Sequence, residues 1–224
     1  MGRQSASLAG NNVGRGLRTV HIDRILRERP NVPWFEVLMD NHTAQGGLVS
    51  MQLAAVRDHY FLSLHCVGMS LGGANLQGMD CLLILKRMIK EYRPAQVSDH
   101  PYFTHYYKHH FNDLLPIPFT SESLHHVCDR IDVVQDCRRS RILVENLSSY
   151  LEFEASEIGE TEFISDLVAR TGCGILPDIN NAYVNEFNNG YSATAFIDSI
   201  PIENVGEVYL RRIRRQGRLP DRCT

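Results

Sequence analysis

Four short apolar runs in this chain each end in side chains of the kind that bind metals or substrates. Acidic, amide and imidazole groups are costly to bury without partners, so at strand ends they normally bond one another, a ligand or a metal. This repetition constrains the fold more than any other feature, because it requires several buried strands to open onto one mouth. The residues at the four ends are His65, then Asp99 with His100, then Glu145 with Asn146, and finally Asp178 with Asn180 and Asn181.

The chain alternates between strand-like and helix-like segments. Near-continuous apolar strands that alternate with amphipathic helices are typical of parallel strands covered by helices, which is the α/β class. The predicted strands cover residues 34–39, 61–67, 95–100 and 141–146, a fifth strand that runs into Asp178, and residues 205–210. The predicted helices cover residues 21–29, 48–59, 76–92, 120–138, 160–170 and 192–199.

Two α/β architectures fit this alternation. In a (β/α)8 TIM barrel the active site lies at the C-terminal ends of several strands, which is where every polar cluster of this chain falls. An open doubly wound sheet is the alternative, but it usually concentrates its site at one switch point. We therefore predict a (β/α)8 barrel, with the open sheet as the second choice.

The composition and the charge bound the class of protein. The 224 residues are 43% hydrophobic and 22% charged, as expected of a soluble globular chain. A net charge of −3 gives no electrostatic reason to expect nucleic acid or a membrane surface as the main partner. No window approaches the roughly 20 apolar residues of a membrane span, and residues 1–15 contain no apolar signal segment. We therefore expect a cytoplasmic protein with reduced cysteines.

Seven motifs stand in order along the chain and together resemble one family. That family is the multinuclear non-haem iron-dependent oxidative enzymes, whose members include the methanobactin-maturation oxidase. The resemblance runs from about Gly14 to Leu210. The motifs are Gly16-Leu-Arg with His21, Trp34-Phe-Glu-Val ending in Asp40-Asn41, Ser63-Leu-His-x-Val-Gly-x-Ser-Leu-Gly, Val97-Ser-Asp-His, Asp113-Leu-Leu-Pro-x-Pro-x-Thr, Leu143-Val-Glu-Asn-x-Ser-Ser-Tyr and Asp178-x-Asn-Asn-x-Tyr-Val.

The resemblance implies a fold and a chemistry. It implies a barrel of the xylose-isomerase type that binds two or three iron ions at its strand ends. It also implies dioxygen-dependent modification of residues, often cysteine, in a ribosomally made precursor peptide, and a small partner protein that delivers this peptide. Imidazole and carboxylate ligands with open positions suit iron and oxygen, whereas cysteine-rich sets would indicate structural zinc.

The resemblance also assigns roles to individual residues. Glu145 matches a carboxylate that can bridge two ions. The positions that match family metal ligands are His65, His100, Glu145, Asp178 and Asn181. The residues expected to orient those ligands by hydrogen bonds are Asp99, Asn146, Asn180 and His21.

Each of these residues has an ordinary structural explanation when it is taken singly. A strand-end histidine is more often a satisfied polar residue than a ligand, and an Asp-x-Asn-Asn segment is more often a turn or a helix cap. Convergence at one barrel mouth reverses this preference, because charged groups brought together there need mutual compensation. By contrast, we expect residues 101–112 to form a surface loop that carries His105, His109 and His110 outside the site.

Both ends of the chain are expected to differ from the barrel domain, which we place at residues 15–210. Residues 1–14 are predicted to be disordered. Residues 211–224 are rich in arginine and aperiodic, and back-translation one base over gives Leu-Ala-Gly and then Ile-Asp-x-His, which resembles the family's own continuation. We therefore expect this tail to be a frameshift product. The domain would then be a truncated barrel with about six of the eight strand–helix units of a TIM barrel, weakly active or inactive.

Two other functions stay open on the sequence alone. A different metal-dependent barrel, either an isomerase or a phosphodiester-cleaving nuclease, would use similar ligands. A non-catalytic, vestigial protein would hold no metal. Metal analysis of the purified chain separates the third function from the first two.

Overall fold

The computed structural model describes residues 13–74, 78–106 and 109–211, without the side chains of residues 78–80 and 112. The predicted disorder of residues 1–14 falls almost entirely outside these ranges. The predicted frameshift tail does so as well, apart from its first residue, Arg211. No helix in the described part of the chain is both long and apolar enough to cross a membrane.

Strands and helices alternate along the described chain. The first half contains β1 (Arg15–Gly16), α1 (Ile22–Glu28), β2 (Trp34–Leu38), α2 (Gly47–His59), β3 (Phe61–His65), α3 (Gly78–Tyr92) and β4 (Gln96–Asp99). The second half contains β5 (Phe103–Tyr106), β6 (His109–Leu115), α4 (Ser121–Arg138), β7 (Leu143–Glu145), α5 (Glu160–Thr171), β8 (Gly174–Leu176), α6 (Ile179–Asn189) and α7 (Ala193–Ser199).

Six of the strands form one parallel sheet. Its strand order is β1-β2-β3-β4-β7-β8, and every pair in it is parallel. Beyond β8 the sheet is continued by two isolated parallel bridges, from Val205 to Ile175 and from Tyr209 to Asp178. The predicted strand at residues 205–210 therefore lies in the expected place, but it forms only these bridges. Within the described residues the sheet does not close into a complete barrel.

The core lies between this sheet and the helices that cover it. Strand residues such as Val37, Leu64 and Val97 are buried and contact apolar residues of the helices. Burying one such side chain contributes about 1.5–3 kcal/mol relative to leaving it in water. The fully buried helix residues include Leu53 and Val56 of α2, Val127 and Ile131 of α4, and Phe163 and Leu167 of α5.

Local sequence explains where two of the helices begin and end. Thr120 precedes α4 and forms a capping box with Ser123, which satisfies backbone N–H groups that the first turn leaves unpaired. Gly172 ends α5 with a φ of 68°, a left-handed conformation that glycine adopts without a steric penalty. The predicted stop at Gly172 is confirmed.

The expected surface loop at residues 101–112 is wrong. Strands β5 and β6 pair as an antiparallel hairpin, and its backbone groups therefore find partners in each other. His105 is buried, with its ring centroid 5.7 Å from that of His110. His109 and His110 are exposed, as predicted. Sequence reasoning missed the alternation because aromatic residues occur on both faces of this hairpin.

Helix α6 is a second difference from the sequence prediction. It follows β8 directly, in a segment rich in asparagine, which has a weak helix propensity. Its N-cap is Asp178, whose side chain accepts hydrogen bonds from the backbone N–H groups of Asn180 and Asn181. The helix-cap explanation of the Asp-x-Asn-Asn segment is therefore correct, and it places the start of α6 at the edge where the strands end.

Candidate metal centre

Three of the predicted ligands meet at the C-terminal edge of the sheet. His65 is the last residue of β3, His100 follows β4 directly, and Glu145 is the last residue of β7. These three strands are neighbours in the sheet, and parallel strands bring their C-terminal ends to the same edge. The ligand atoms offered by the three residues all lie within 4.8 Å of one another, and all three side chains are buried.

Both imidazoles point their Nε2 atoms at the same carboxylate oxygen. His65 Nε2 lies 3.6 Å and His100 Nε2 lies 3.4 Å from Glu145 Oε2. The two rings are nearly perpendicular, with centroids 4.9 Å apart. Glu145 Oε2 is buried and has no hydrogen-bond partner among the described residues. An unsatisfied carboxylate oxygen that faces two ring nitrogens is the arrangement a cation would complete.

The far side of each ring faces a polar group from β4. His65 Nδ1 lies 2.8 Å from Ser98 Oγ, within hydrogen-bond distance. His100 Nδ1 lies 3.6 Å from Asp99 Oδ1, and the same oxygen accepts the His100 backbone N–H at 2.6 Å. Such partners fix the orientation of a metal-binding imidazole. Asp99 was expected in this role, whereas Ser98 was missed, although it lies within the Val97-Ser-Asp-His motif.

Burial and neighbouring charges set the protonation of the cluster. Burial, together with the positive charges of His100 and Arg211, lowers the pKa of His65 to about 3, so this ring is neutral and ready to donate a lone pair. Burial alone would lower the pKa of His100, but the neighbouring carboxyl groups of Asp99 and Glu145 raise it to about 9. Burial raises the pKa of Glu145. A cation at the cluster would displace the proton from His100.

Asp178 and Asn181 lie beside the three-residue cluster rather than within it. One oxygen of Asp178 is committed to capping α6, accepting from Asn180 N at 2.7 Å and from Asn181 N at 3.1 Å. Its other oxygen is buried and has no hydrogen-bond partner within the described ranges. Asn181 Nδ2 donates to Glu145 Oε1 at 3.4 Å, which occupies the oxygen of Glu145 that faces away from the histidines.

The remaining expected positioning residues divide into two groups. Asn146 joins the ends of β7 and β8, because its Oδ1 accepts the Asp178 N–H at 2.8 Å and its Nδ2 donates to the Asp178 carbonyl at 3.2 Å. Asn180 contributes its backbone N–H to the Asp178 cap. His21 is exposed, and no hydrogen bond or ion pair of the described residues joins its side chain to the cluster.

Sequence reasoning missed a second set of polar groups inside the sheet. Glu207 Oε2 accepts a hydrogen bond from Ser63 Oγ at 2.8 Å, and burial raises the pKa of Glu207 to about 7. Burial also raises the pKa of Glu36 on β2. Burial and the carboxylates of Glu36, Glu145 and Glu207 together raise the pKa of Tyr209. A glutamate in the middle of the apolar strand Trp34–Leu38 was the one available signal.

The donor set fits a first-row transition metal. Two imidazole nitrogens and a carboxylate oxygen suit iron, zinc or manganese, and the absence of a thiolate from this group makes a cysteine-type structural zinc site a poor match. Three protein donors leave further coordination positions open. The donor set alone does not select one of these metals.

A separate cavity lies between the start of α5, the loop before it, and helices α6 and α7. Its volume is about 620 Å³, and Glu160 lies in its wall. Tyr102 donates its hydroxyl to Glu160 Oε1 at 3.1 Å, and Asn185 Nδ2 donates to Oε2 at 3.4 Å. Burial raises the pKa of Glu160 to about 7. Glu160 is half-buried, whereas Glu145 is buried, and both oxygens of Glu160 have partners.

Residues 12–219 match the model of a protein family described as RiPP precursor modification enzyme MbnB/TglH/ChrH. A relative from Acaryochloris marina, named only as a UPF0276 protein, is 40% identical over 211 residues, which cover 94% of this chain and 76% of the relative. That name carries no function. The family model is therefore the finding that bears on activity.

Two solved structures are similar to the fold. A xylose isomerase domain containing protein from Salmonella typhimurium aligns with a TM-score of 0.59 at 15% identity, over 88% of this chain and 70% of that one. A D-psicose 3-epimerase aligns with a TM-score of 0.55 at 12% identity, over 92% of this chain and 77% of that one. At such identities the similarity shows the fold alone. The predicted xylose-isomerase-like TIM-barrel class is confirmed.

Proposed function

We infer that this chain, which belongs to the MbnB/TglH/ChrH family of RiPP precursor modification enzymes, is an iron- and dioxygen-dependent enzyme that oxidises residues of a ribosomally made peptide. One observation carries the proposal: two imidazoles converge on a single unpaired carboxylate oxygen at the C-terminal edge of the sheet. In barrels of this class that edge is where active sites are built.

We propose His65, His100 and Glu145 as the ligands of one iron ion. Bound iron would supply one-electron redox chemistry with dioxygen, which these side chains cannot perform by themselves. The unpaired oxygen of Asp178 is proposed as a further ligand, since it is buried at the same edge. The family resemblance extends the proposal to two or three ions in all, with Glu145 able to bridge between two of them.

The other side chains of the site are proposed to position these ligands. Asn181 holds Oε1 of Glu145, which leaves Oε2 directed at the histidines. Ser98 bonds the far nitrogen of His65, and Asp99 lies beside the far nitrogen of His100, so that Nε2 of each ring is the nitrogen presented to the metal. This bonding fixes the ligand geometry before a metal arrives, which lowers the ordering cost of binding.

The substrate proposed is a precursor peptide, with cysteine as the residue most often modified. The family model supports the peptide, because its description names precursor modification. A small partner protein that delivers this peptide is proposed from the same family resemblance. A candidate partner is a small protein encoded beside this chain. Co-purification of the two proteins, with and without the peptide, would test the partner separately from the metal.

Iron content tests the metal centre directly. We expect Glu145→Ala to bind markedly less iron than the natural chain after reconstitution with ferrous iron under anaerobic conditions. The variant His109→Ala is the control, because His109 is exposed on the hairpin and lies outside the cluster. Iron content is measured by mass spectrometry of the metal. Equal iron content in the two variants would show that Glu145 is not a ligand and would contradict the proposed function.

A further inference from the structure

Tyr209 lies beyond β8, and its side chain contacts the metal cluster. Its backbone pairs in parallel with Asp178: the Tyr209 N–H donates to the Pro177 carbonyl at 2.9 Å, and the Ile179 N–H donates to the Tyr209 carbonyl at 3.1 Å. Asp178 follows β8 at the C-terminal edge of the sheet, where His65 and Glu145 also lie. This pairing therefore places Tyr209 at the level of the cluster.

The ring of Tyr209 contacts the ring of His65. Their centroids are 5.7 Å apart and their planes are inclined at 66°, an edge-to-face contact. The ring of His65 also contacts the ring of His100, with the two centroids 4.9 Å apart. The Nε2 atom of the same imidazole faces Glu145 Oε2 at 3.6 Å.

The hydroxyl of Tyr209 is buried, and the carboxyl group of Glu36 lies close enough to raise its pKa. Even so, the hydroxyl forms no hydrogen bond of ordinary geometry in the part of the chain that the structure describes. Buried phenol groups normally find one, because an unpaired buried hydroxyl costs about 1–3 kcal/mol. Glu207 lies nearby, but its Oε2 atom already accepts from Ser63. Packing against His65 does not explain the hydroxyl, since phenylalanine would make the same ring contact without an unpaired oxygen.

The ring of Tyr209 and the Oε2 atom of Glu145 thus adjoin the same imidazole. We propose that Tyr209 is a phenolate ligand of the iron that His65, His100 and Glu145 hold. Metal binding forms the iron–oxygen bond and releases the phenol proton to solvent, as it does for other protonated ligands. The inference depends on the metal centre proposed above, and it adds a residue to which neither the sequence analysis nor the family description gave a role.

A phenolate bound to ferric iron has a property that histidine and carboxylate ligands lack. Charge transfer from the phenolate to the ferric ion gives a broad visible absorption band and resonance-enhanced tyrosinate vibrations. The full chain is loaded with ferrous iron without oxygen, and ferricyanide is then added, which takes one electron from each ferrous ion. We expect the natural chain to show both signals after this oxidation.

Three variants separate ligation from packing. Tyr209→Phe keeps the ring, and we expect it to lose the band and to bind ferrous iron about tenfold more weakly or worse. Tyr209→His replaces one ligand with another, so we expect it to keep most of the iron affinity without the band. Tyr183→Phe is the matched control on the exposed side of α6, and we expect it to keep both the band and the affinity.

The outcomes distinguish this inference from the function on which it rests. If the natural chain binds iron in a Glu145-dependent way but shows no band, or if Tyr209→Phe retains the band, Tyr209 is not a ligand and the metal centre survives. If Glu145→Ala and the natural chain hold equally little iron, both proposals fail. Should Tyr209→Phe not fold, the loss of colour with retained iron in Tyr209→His decides the question.

Discussion

Two carboxyl groups on neighbouring elements of this protein, Glu145 and Glu160, are bonded very differently. Glu145 ends β7, and its Oε2 atom faces two imidazoles without a hydrogen bond among the described residues. Glu160 begins α5, and its two oxygens accept from Tyr102 and from Asn185. Burial raises the pKa of both. A raised pKa therefore does not distinguish a ligand site from a structural carboxyl group, whereas an unpaired oxygen facing other donors does.

The charges around the two carboxyl groups differ as well. Glu145 lies beside His100, whose pKa is raised to about 9, so the carboxylate has a cationic partner when no metal is bound. Glu160 has uncharged partners, among them a phenol and an amide, and its pKa of about 7 lets it bind a proton close to neutral pH. The metal cluster is thus built to hold positive charge, and the cavity wall is built to hold a neutral acid. Three predictions test this distinction.

The largest effect is expected from metal binding on stability. Ferrous iron at about 100 times its dissociation constant should stabilise the folded chain by about 2.7 kcal/mol. We expect this gain in the natural chain and in Glu160→Gln, and we expect it to disappear in Glu145→Gln. Anaerobic denaturant titrations with and without iron measure it. An equal gain in both variants would mean that the metal binds elsewhere.

The second effect is a pH dependence that belongs to Glu160. Its folded pKa of about 7 lies above the unfolded value near 4.5, so the fold favours the protonated acid. The stability that Glu160 contributes to the folded chain is complete below about pH 4.5 and is lost as the pH rises through 7. Between pH 5 and pH 8 this should lower the free energy of unfolding of the natural chain by about 2 kcal/mol, allowing for partial exposure. We expect Glu160→Gln to lack this decline.

The comparison of unfolding curves at a series of pH values isolates this contribution. The other buried carboxyl groups contribute equally to the natural chain and to the variant, so only the difference between the two curves is used. Glu154→Gln, an exposed glutamate in the loop before α5, is the control and should leave the slope unchanged. Parallel curves for the natural chain and Glu160→Gln would show that Glu160 is ionised throughout.

The smallest effect concerns a group behind the cluster. Ser98→Ala removes the partner of His65 Nδ1, and we expect about a tenfold loss of iron affinity, which is about 1.4 kcal/mol. Ser70→Ala is the control, since it removes another buried serine hydroxyl, one that accepts from the Thr104 N–H away from the cluster. If the two variants bind iron equally well, Ser98 does not position His65.

Much of the fold could be predicted from the sequence because the signals are local. Apolar runs set the strands, and breaks such as Pro94 and Gly172 set where α3 and α5 end, to within a few residues. The failures occurred where local signals are weak. Helix α6 is rich in asparagine, and the β5–β6 hairpin has aromatic residues on both faces, so neither shows the period of its structure.

The candidate ligands could be named from the sequence for a similar reason. His65, His100 and Glu145 each follow an apolar run, and a parallel sheet must bring those ends to one edge. The sequence could not show how each ligand is used. Asp178 commits one oxygen to the cap of α6, and that contact depends on the backbone of the helix that follows.

The sequence by itself determined an α/β chain of parallel strands and the three strand ends that carry imidazole and carboxylate groups. Only the tertiary structure decided which nitrogens face Glu145 and which further groups enter the interior. The hydrogen bond between Ser63 and Glu207 joins residues 144 positions apart in the chain. The ring contact between His65 and Tyr209 also joins residues that are far apart in the chain. Such contacts depend on strand pairing and on the direction of each side chain, and no local pattern encodes either of these.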